Sequence, residues 1–183
     1  MADVSVRPAR PADAERVARA QLGTWRTAYA HLLPREALDL PEEQAATLWL
    51  HAVESPASPR HRVLVAMERD ELVGFLASAP PQDEDDLDAD GAVEVTALVV
   101  EPRWGRRGHG SRLLAAAVDG WRGDGVRTAV AWVWEGDPAT RSFLASAGWA
   151  PDGRARGLDT GSPGTGSLVH RQLRHHVDVG PGG

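Results

Sequence analysis

The stretch VVEPRWGRRGHGSRLLAAAV, residues 99–118, sets three glycines and four arginines between an apolar run and a leucine- and alanine-rich run. Upstream, AVEVTALVV (92–100) reads as a buried strand. Downstream, Leu113, Leu114, Ala117, Val118 and Trp121 share one side of a helix expected from about Gly110 to Trp121. TAVAWVW (128–134) is a further strand, and a strand–helix–strand unit of this kind is parallel and right-handed. The glycines therefore occupy a strand-to-helix turn. A helix N-terminus presents unsatisfied N–H groups and positive partial charge, and Gly105, Gly108 and Gly110 remove the Cβ atoms that would block approach to it. Arg103, Arg106, Arg107 and Arg112 add positive charge, which suits a phosphate-bearing ligand. The alternative is a plain turn whose arginines point to solvent.

Outward from this unit the pattern remains mixed. VSVRPA (4–9) reads as a first strand, and Pro11 and Asp13 open a helix carrying Val17, Ala20, Leu22, Trp25 and Tyr29. A second helix fits 41–54, where Pro41 precedes Glu42 and Glu43, acidic side chains suited to a helix start. VLVAM (63–67) and LVGFLASA (72–79) read as a hairpin, followed by an acidic loop over 80–91. Asp137 caps a helix with Pro138 at its first position, and Gly148 ends it. WAPDGRAR and SLVHRQLRHHV are strands separated by the linker 157–166. The order predicts one α/β domain over 1–176 with helices on both faces of a sheet, and a flexible tail over 177–183.

Composition narrows the function. A net charge of −6 argues against a general nucleic-acid binder, which carries a basic surplus. With no cysteine there is no disulfide framework or thiolate nucleophile, and no apolar run reaches membrane-spanning length. A cytoplasmic setting is expected. All 20 basic side chains are arginine, so a P-loop lysine and a Schiff-base lysine are excluded. A dinucleotide fingerprint fits poorly, since Leu113 stands at its third small position and Gly105 does not directly follow the strand. His170, His175 and His176, on or just beyond the terminal strand, read as surface residues, and no metal site is expected.

VVEPRWGRRGHGSRLL resembles the acyl-CoA loop of the GNAT superfamily of N-acetyltransferases. EGDPATRSFLASAGWAPDG (135–153) is similar to that family's downstream segment, and TWRTAYAHLLP (24–34) to its N-terminal helix pair. The resemblance implies a mixed, mostly antiparallel central sheet in which the parallel strands 92–100 and 128–134 splay apart. It implies acetyl-CoA as co-substrate, with Leu98, Val99 and Val100 beside the pantetheine and Arg106, Arg107, Gly108, His109, Gly110 and Ser111 around the pyrophosphate. Asp137 stands where the family has a cofactor-side asparagine. Trp25 and Tyr29 would face the acceptor, an amine of a small molecule or peptide, and Glu94 would be the base that deprotonates it. Many members form homodimers.

Three departures accompany the resemblance. Gly105 takes the usual Arg/Gln position, and Arg106 takes a usual glycine position. Leu144 stands where the family places the tyrosine that protonates the departing thiolate, and Tyr29 is the chain's single tyrosine. The last departure keeps a non-catalytic acyl-CoA-binding module as the alternative to a transferase, with a dinucleotide-binding oxidoreductase behind both.

Overall fold

The structure is a computed structural model that describes residues 4–81, 91–161 and 168–180. Residues 82–90 of the acidic loop and 162–166 of the linker lie outside those residues. In chain order the elements are β1 (Val4–Pro8), α1 (Ala14–Ala28), the short α2 (Arg35–Leu38), α3 (Glu42–Glu54), β2 (Arg62–Glu68), β3 (Glu71–Ala79), β4 (Ala92–Val100), α4 (His109–Gly123), β5 (Thr128–Trp134), α5 (Pro138–Ser146), β6 (Ala150–Asp159) and β7 (Val169–Asp178).

The strands form a seven-stranded sheet ordered β1-β2-β3-β4-β5-β7-β6. β4 and β5 are parallel, and the other neighbouring pairs are antiparallel. The mixed, mostly antiparallel sheet is therefore as the sequence implied. It also removes the dinucleotide alternative, which needs a doubly wound parallel sheet.

Two cores follow from the apolar stripes of the helices. On one face Leu113, Ala117 and Trp121 of α4, each fully buried, pack with Leu144 of α5 and with Val93 and Val95 of β4. On the other, Val17 and Ala20 of α1 pack with Val65, Phe75 and Val99, while Trp49 of α3 meets Phe75 edge-on at 5.0 Å. Trp121 also donates its indole N–H to Ser78 Oγ at 3.3 Å. Burying a side chain of that size contributes roughly 1.5–3 kcal/mol.

β4 contributes to both cores because its alternation is interrupted. Ala77 pairs with Ala97 but Ser78 pairs with Val95, so Thr96 is an extra, bulged residue. Val93 and Val95 before the bulge face α4, and Ala97 and Val99 after it face α1. Pairing with β5 runs only from Ala92↔Thr128 to Val95↔Ala131 and stops at the same place. The strands part there, as the resemblance implied.

Other expectations are corrected. The strand expected to end before the 157–166 linker continues to Asp159, where Asp159 pairs with Val169. The tail expected from 177 begins later: β7 runs to Asp178, and Val179 is buried and accepts from Arg122 Nε at 2.8 Å. β7 lies inside the sheet between β5 and β6, so His175, read as a surface residue, is 3% exposed. The second helix starts at Glu42 with Pro41 as its cap, and α4 starts at His109, one residue early. No helix among the described residues is long and apolar enough to cross a membrane.

Candidate active site

Where β4 and β5 part, two cavities adjoin. The first, about 370 Å³, runs from the end of β4 to the glycine turn and the start of α4. The second, about 260 Å³, lies between the separated halves of β4 and β5. Tyr29, Leu98, Val99 and Thr140 line both and form their common wall.

The glycine turn shapes the first cavity. Gly108, the residue before α4, has φ 80, and the first backbone bond of the helix runs from Arg112 N to Gly108 O at 3.1 Å. The amides of His109, Gly110 and Ser111 therefore precede the hydrogen-bonded ladder, and all three residues line the cavity. A Cβ on Gly110 would stand 3.3 Å from Phe143 Cζ, so glycine keeps the floor open.

The four arginines separate by role. Arg103 bonds Glu101 at 2.8 Å, Arg107 lies 3.5 Å from Glu68 and 4.8 Å from the Trp104 ring centre, and Arg112 donates to Arg107 O at 2.9 Å. Arg106 alone of the four lines the cavity, and it does so with φ 60, the left-handed backbone that favours glycine. An arginine thus adopts the glycine-like conformation at the position where the family usually has glycine.

His109 is fully buried, and its Nε2–H donates to Glu68 Oε2 at 3.0 Å, tying the turn to β2. Thr24 of α1, also buried, lines the first cavity, and its hydroxyl finds no partner among the described residues.

Tyr29, at the C-terminal cap of α1, sends its hydroxyl across the common wall to Asp137 Oδ2 at 2.8 Å. Asp137 is the N-cap of α5, accepting from Thr140 N at 2.9 Å on Oδ1 and from Thr140 Oγ1 at 2.6 Å on Oδ2. Burial above all pushes the Tyr29 phenol up to about 12; the Thr140 hydrogen bond opposes that shift, and the Asp137 carboxylate adds to it.

The sequence-predicted residues divide as follows. Leu98, Val99 and Val100 line the first cavity with Arg106, Gly108 and the three residues that open α4. Trp25 and Asp137 line the second cavity, and Arg107 lines neither. Glu94 is 9% exposed and also lines neither; Thr96, two residues on, lines the second. Leu144 is buried on the wall of the second cavity, which the single tyrosine enters from α1 instead. Sequence reasoning missed Thr140, Trp132 and Trp134. Thr140 was visible as the third residue after a helix-capping aspartate, and Trp132 and Trp134 as an i, i+2 pair on one face of a strand.

The model of the acetyltransferase (GNAT) family matches residues 22–149. No curated protein sequence matches the chain. Among solved structures, yncA of Salmonella typhimurium, determined with its cofactor acetyl-CoA, is 16% identical, with a TM-score of 0.74 over 97% of this chain and 94% of its own. An N-acetyltransferase from Staphylococcus aureus Mu50 is 13% identical, with a TM-score of 0.76 over 97% and 99%. The ribosomal-protein-alanine N-acetyltransferase of Brucella melitensis is 20% identical, with a TM-score of 0.74 over 95% and 99%. At these identities the likeness is one of fold.

Proposed function

The chain belongs to the GNAT acetyltransferase family, and from that premise we propose that it transfers the acetyl group of acetyl-CoA to a primary amine by direct attack. The observation that carries this reading is the pair of adjoining cavities with a common wall, one ending on a helix N-terminus and the other on aromatic rings and a carboxylate. Two reactants held on either side of one wall meet without a covalent enzyme intermediate, and positioning alone removes much of the barrier.

The first cavity fits acetyl-CoA. The amides at the start of α4 and Arg106, which lines this cavity, suit a pyrophosphate, and the Thr24 hydroxyl, without a partner among the described residues, offers a further polar contact. Acetyl-CoA supplies the activated acyl group. The protein supplies orientation and a route for the amine's proton. Glu94, buried on β4 next to Val95 of the second cavity's lining, is the base on this reading and receives the proton through intervening water. Tyr29 keeps its own proton at neutral pH, as any phenol does, and the rise to about 12 extends that well into the alkaline range. Solvent protonates the departing thiolate.

The test is release of free thiol when the protein is mixed with acetyl-CoA and a panel of amines, with the acetylated product identified by mass. Acetyl-CoA binding by calorimetry with no turnover of any amine would favour a non-catalytic module, the reading that Leu144 at the usual tyrosine position keeps in view. Absence of binding would end both.

A further inference from the structure

Among the described residues, Asp137 is the one charged side chain lining the second cavity. Its Oδ2 accepts from Tyr29 and Thr140, while its Oδ1 accepts, among the described residues, only from the Thr140 amide. A carboxylate has about four acceptor sites in all, so one on Oδ1 remains for an incoming N–H. This carboxylate stands at the common wall, bonded to Thr140 and Tyr29, which both face the first cavity as well. A cation drawn to it is held next to the place where acyl transfer would occur.

The rest of the described lining is uncharged and mainly apolar and aromatic. Trp25 of α1 and Trp132 and Trp134 of β5 line it with Leu33 and Leu144, and Gln21, Thr96 and Gln172 are neutral. Indole faces attract an ammonium group and accept an aryl or alkyl body. Away from Asp137 the lining holds no second carboxylate among the described residues to pair another positive charge. Trp132, the ring nearer the point where β4 and β5 part, carries the Arg156 guanidinium 4.3 Å from its centre, and Arg156 Nε donates to Gln172 Oε1 at 2.8 Å. At about 260 Å³ the cavity lies just under the usual range for small-molecule sites, roughly 300–1,000 Å³.

Building on the proposed transferase reading, we infer that the acceptor is a monocationic amine with an aryl or alkyl body, held by Asp137 at its ammonium and by Trp25, Trp132 and Trp134 along its length. Diamines are disfavoured because a second ammonium would meet only uncharged side chains among the described lining residues. Amino acids are disfavoured by the negative charge they would bring to Asp137.

The experiment measures binding and turnover separately, on the full chain. Calorimetry gives the affinity of phenethylamine for the CoA-saturated protein. Thiol release gives kcat/KM for phenethylamine, putrescine and L-phenylalanine. The variant Asp137→Asn keeps an oxygen able to cap α5, removes the charge, and puts an NH2 donor where the second carboxylate oxygen accepts from Tyr29. We expect phenethylamine to be the best of the three by at least about tenfold, and Asp137→Asn to weaken its binding about 10- to 100-fold, the value of a charge-assisted hydrogen bond. Binding of the neutral phenethyl alcohol and of acetyl-CoA should stay within about threefold, which a general loss of structure would not allow. Preference for putrescine or L-phenylalanine overturns the inference, as does unchanged phenethylamine binding in Asp137→Asn. Acetyl-CoA binding without phenethylamine binding sinks the acceptor assignment alone. Charge-dependent phenethylamine binding without acetyl-CoA binding sinks the transferase reading alone, and absence of both sinks both.

Discussion

The Tyr29 hydroxyl donates to Asp137 Oδ2 at 2.8 Å, joining the end of α1 to the start of α5 across 108 positions of sequence. Because the chain has a single tyrosine, its phenolate absorbance reports this contact alone. The folded pKa is raised from 10.0 to about 12, so the protonated form is favoured in the folded state. The associated stability is complete below pH 10 and is lost as pH rises towards 12. A spectrophotometric titration should place the ionisation well above that of the denatured chain. Tyr29→Phe should remove the alkaline loss of stability, and equal midpoints for the folded and denatured chains would refute the buried contact.

Gly110→Val should act through Phe143. The added branch meets Phe143 Cζ, already 3.3 Å from a single Cβ, and Val100 Cγ2 at 3.8 Å. The ring is then driven into the first cavity, and acetyl-CoA affinity by calorimetry should fall at least about tenfold, the loss of one or more charge-assisted bonds. Gly123→Ala, on the same helix with nothing within 4 Å, is the control. It should leave affinity unchanged and raise stability by about 0.5–1 kcal/mol.

Arg106→Gly separates strain from charge. At φ 60 the arginine backbone carries a penalty of roughly 1–2 kcal/mol that glycine does not. Thermal unfolding of the variant should therefore shift upward, while acetyl-CoA binding weakens and becomes less sensitive to salt. A variant that unfolds earlier than wild type would show that Arg106 has a structural partner in solution.

On the acid side the decisive pair is Arg7 and Asp13, which share two hydrogen bonds of 2.7 and 3.0 Å. The Arg7 hydrogen bonds, with help from the Arg10 amide, hold the Asp13 carboxyl below its usual value despite burial. That stabilisation is present above the unfolded value of 3.8 and is lost as pH falls through the lower folded one. Asp13→Asn should cost about 1.5–3 kcal/mol at neutral pH. Denaturant titrations should find the difference vanishing in strong acid.

Glu94→Gln should lower kcat about a hundredfold at neutral pH with little change in acetyl-CoA affinity, since base assistance is typically worth ~10²–10⁴ in rate. Restoring the family's residue with Leu144→Tyr should change kcat by less than about tenfold, because solvent serves the thiolate. An unaffected Glu94→Gln, measured with one active amine across the pH range, takes Glu94 out of the mechanism.

Much of the fold could be read from period and punctuation. The apolar stripe of α4 and the Asp137-Pro138 start of α5 are local signals, and both lie where expected. The glycine turn was legible for the same reason: its chemistry is carried by neighbours in sequence. What escaped was set at long range. Nothing in AVEVTALVV marks Thr96 as a bulge, because that depends on the register of β3 against β4. The insertion of β7 between β5 and β6, which buries His175, is a choice among strand orders that alternation does not express. The meeting of Tyr29 with Asp137 needed both α1 and α5 in place.

The parting of β4 and β5 gives the sheet inner margins as well as its outer ones. β1 and β6 bound it on the outside, but beyond Val95 and Ala131 two central strands each lose one neighbour while keeping the other. Alternate backbone groups there have no strand partner among the described residues and are left to water or a ligand. Their amide hydrogens should therefore exchange with solvent as those of a peripheral strand do, although they lie in the middle of the molecule. A bound molecule carrying its own amides would close that seam and act, in effect, as the sheet's missing strand.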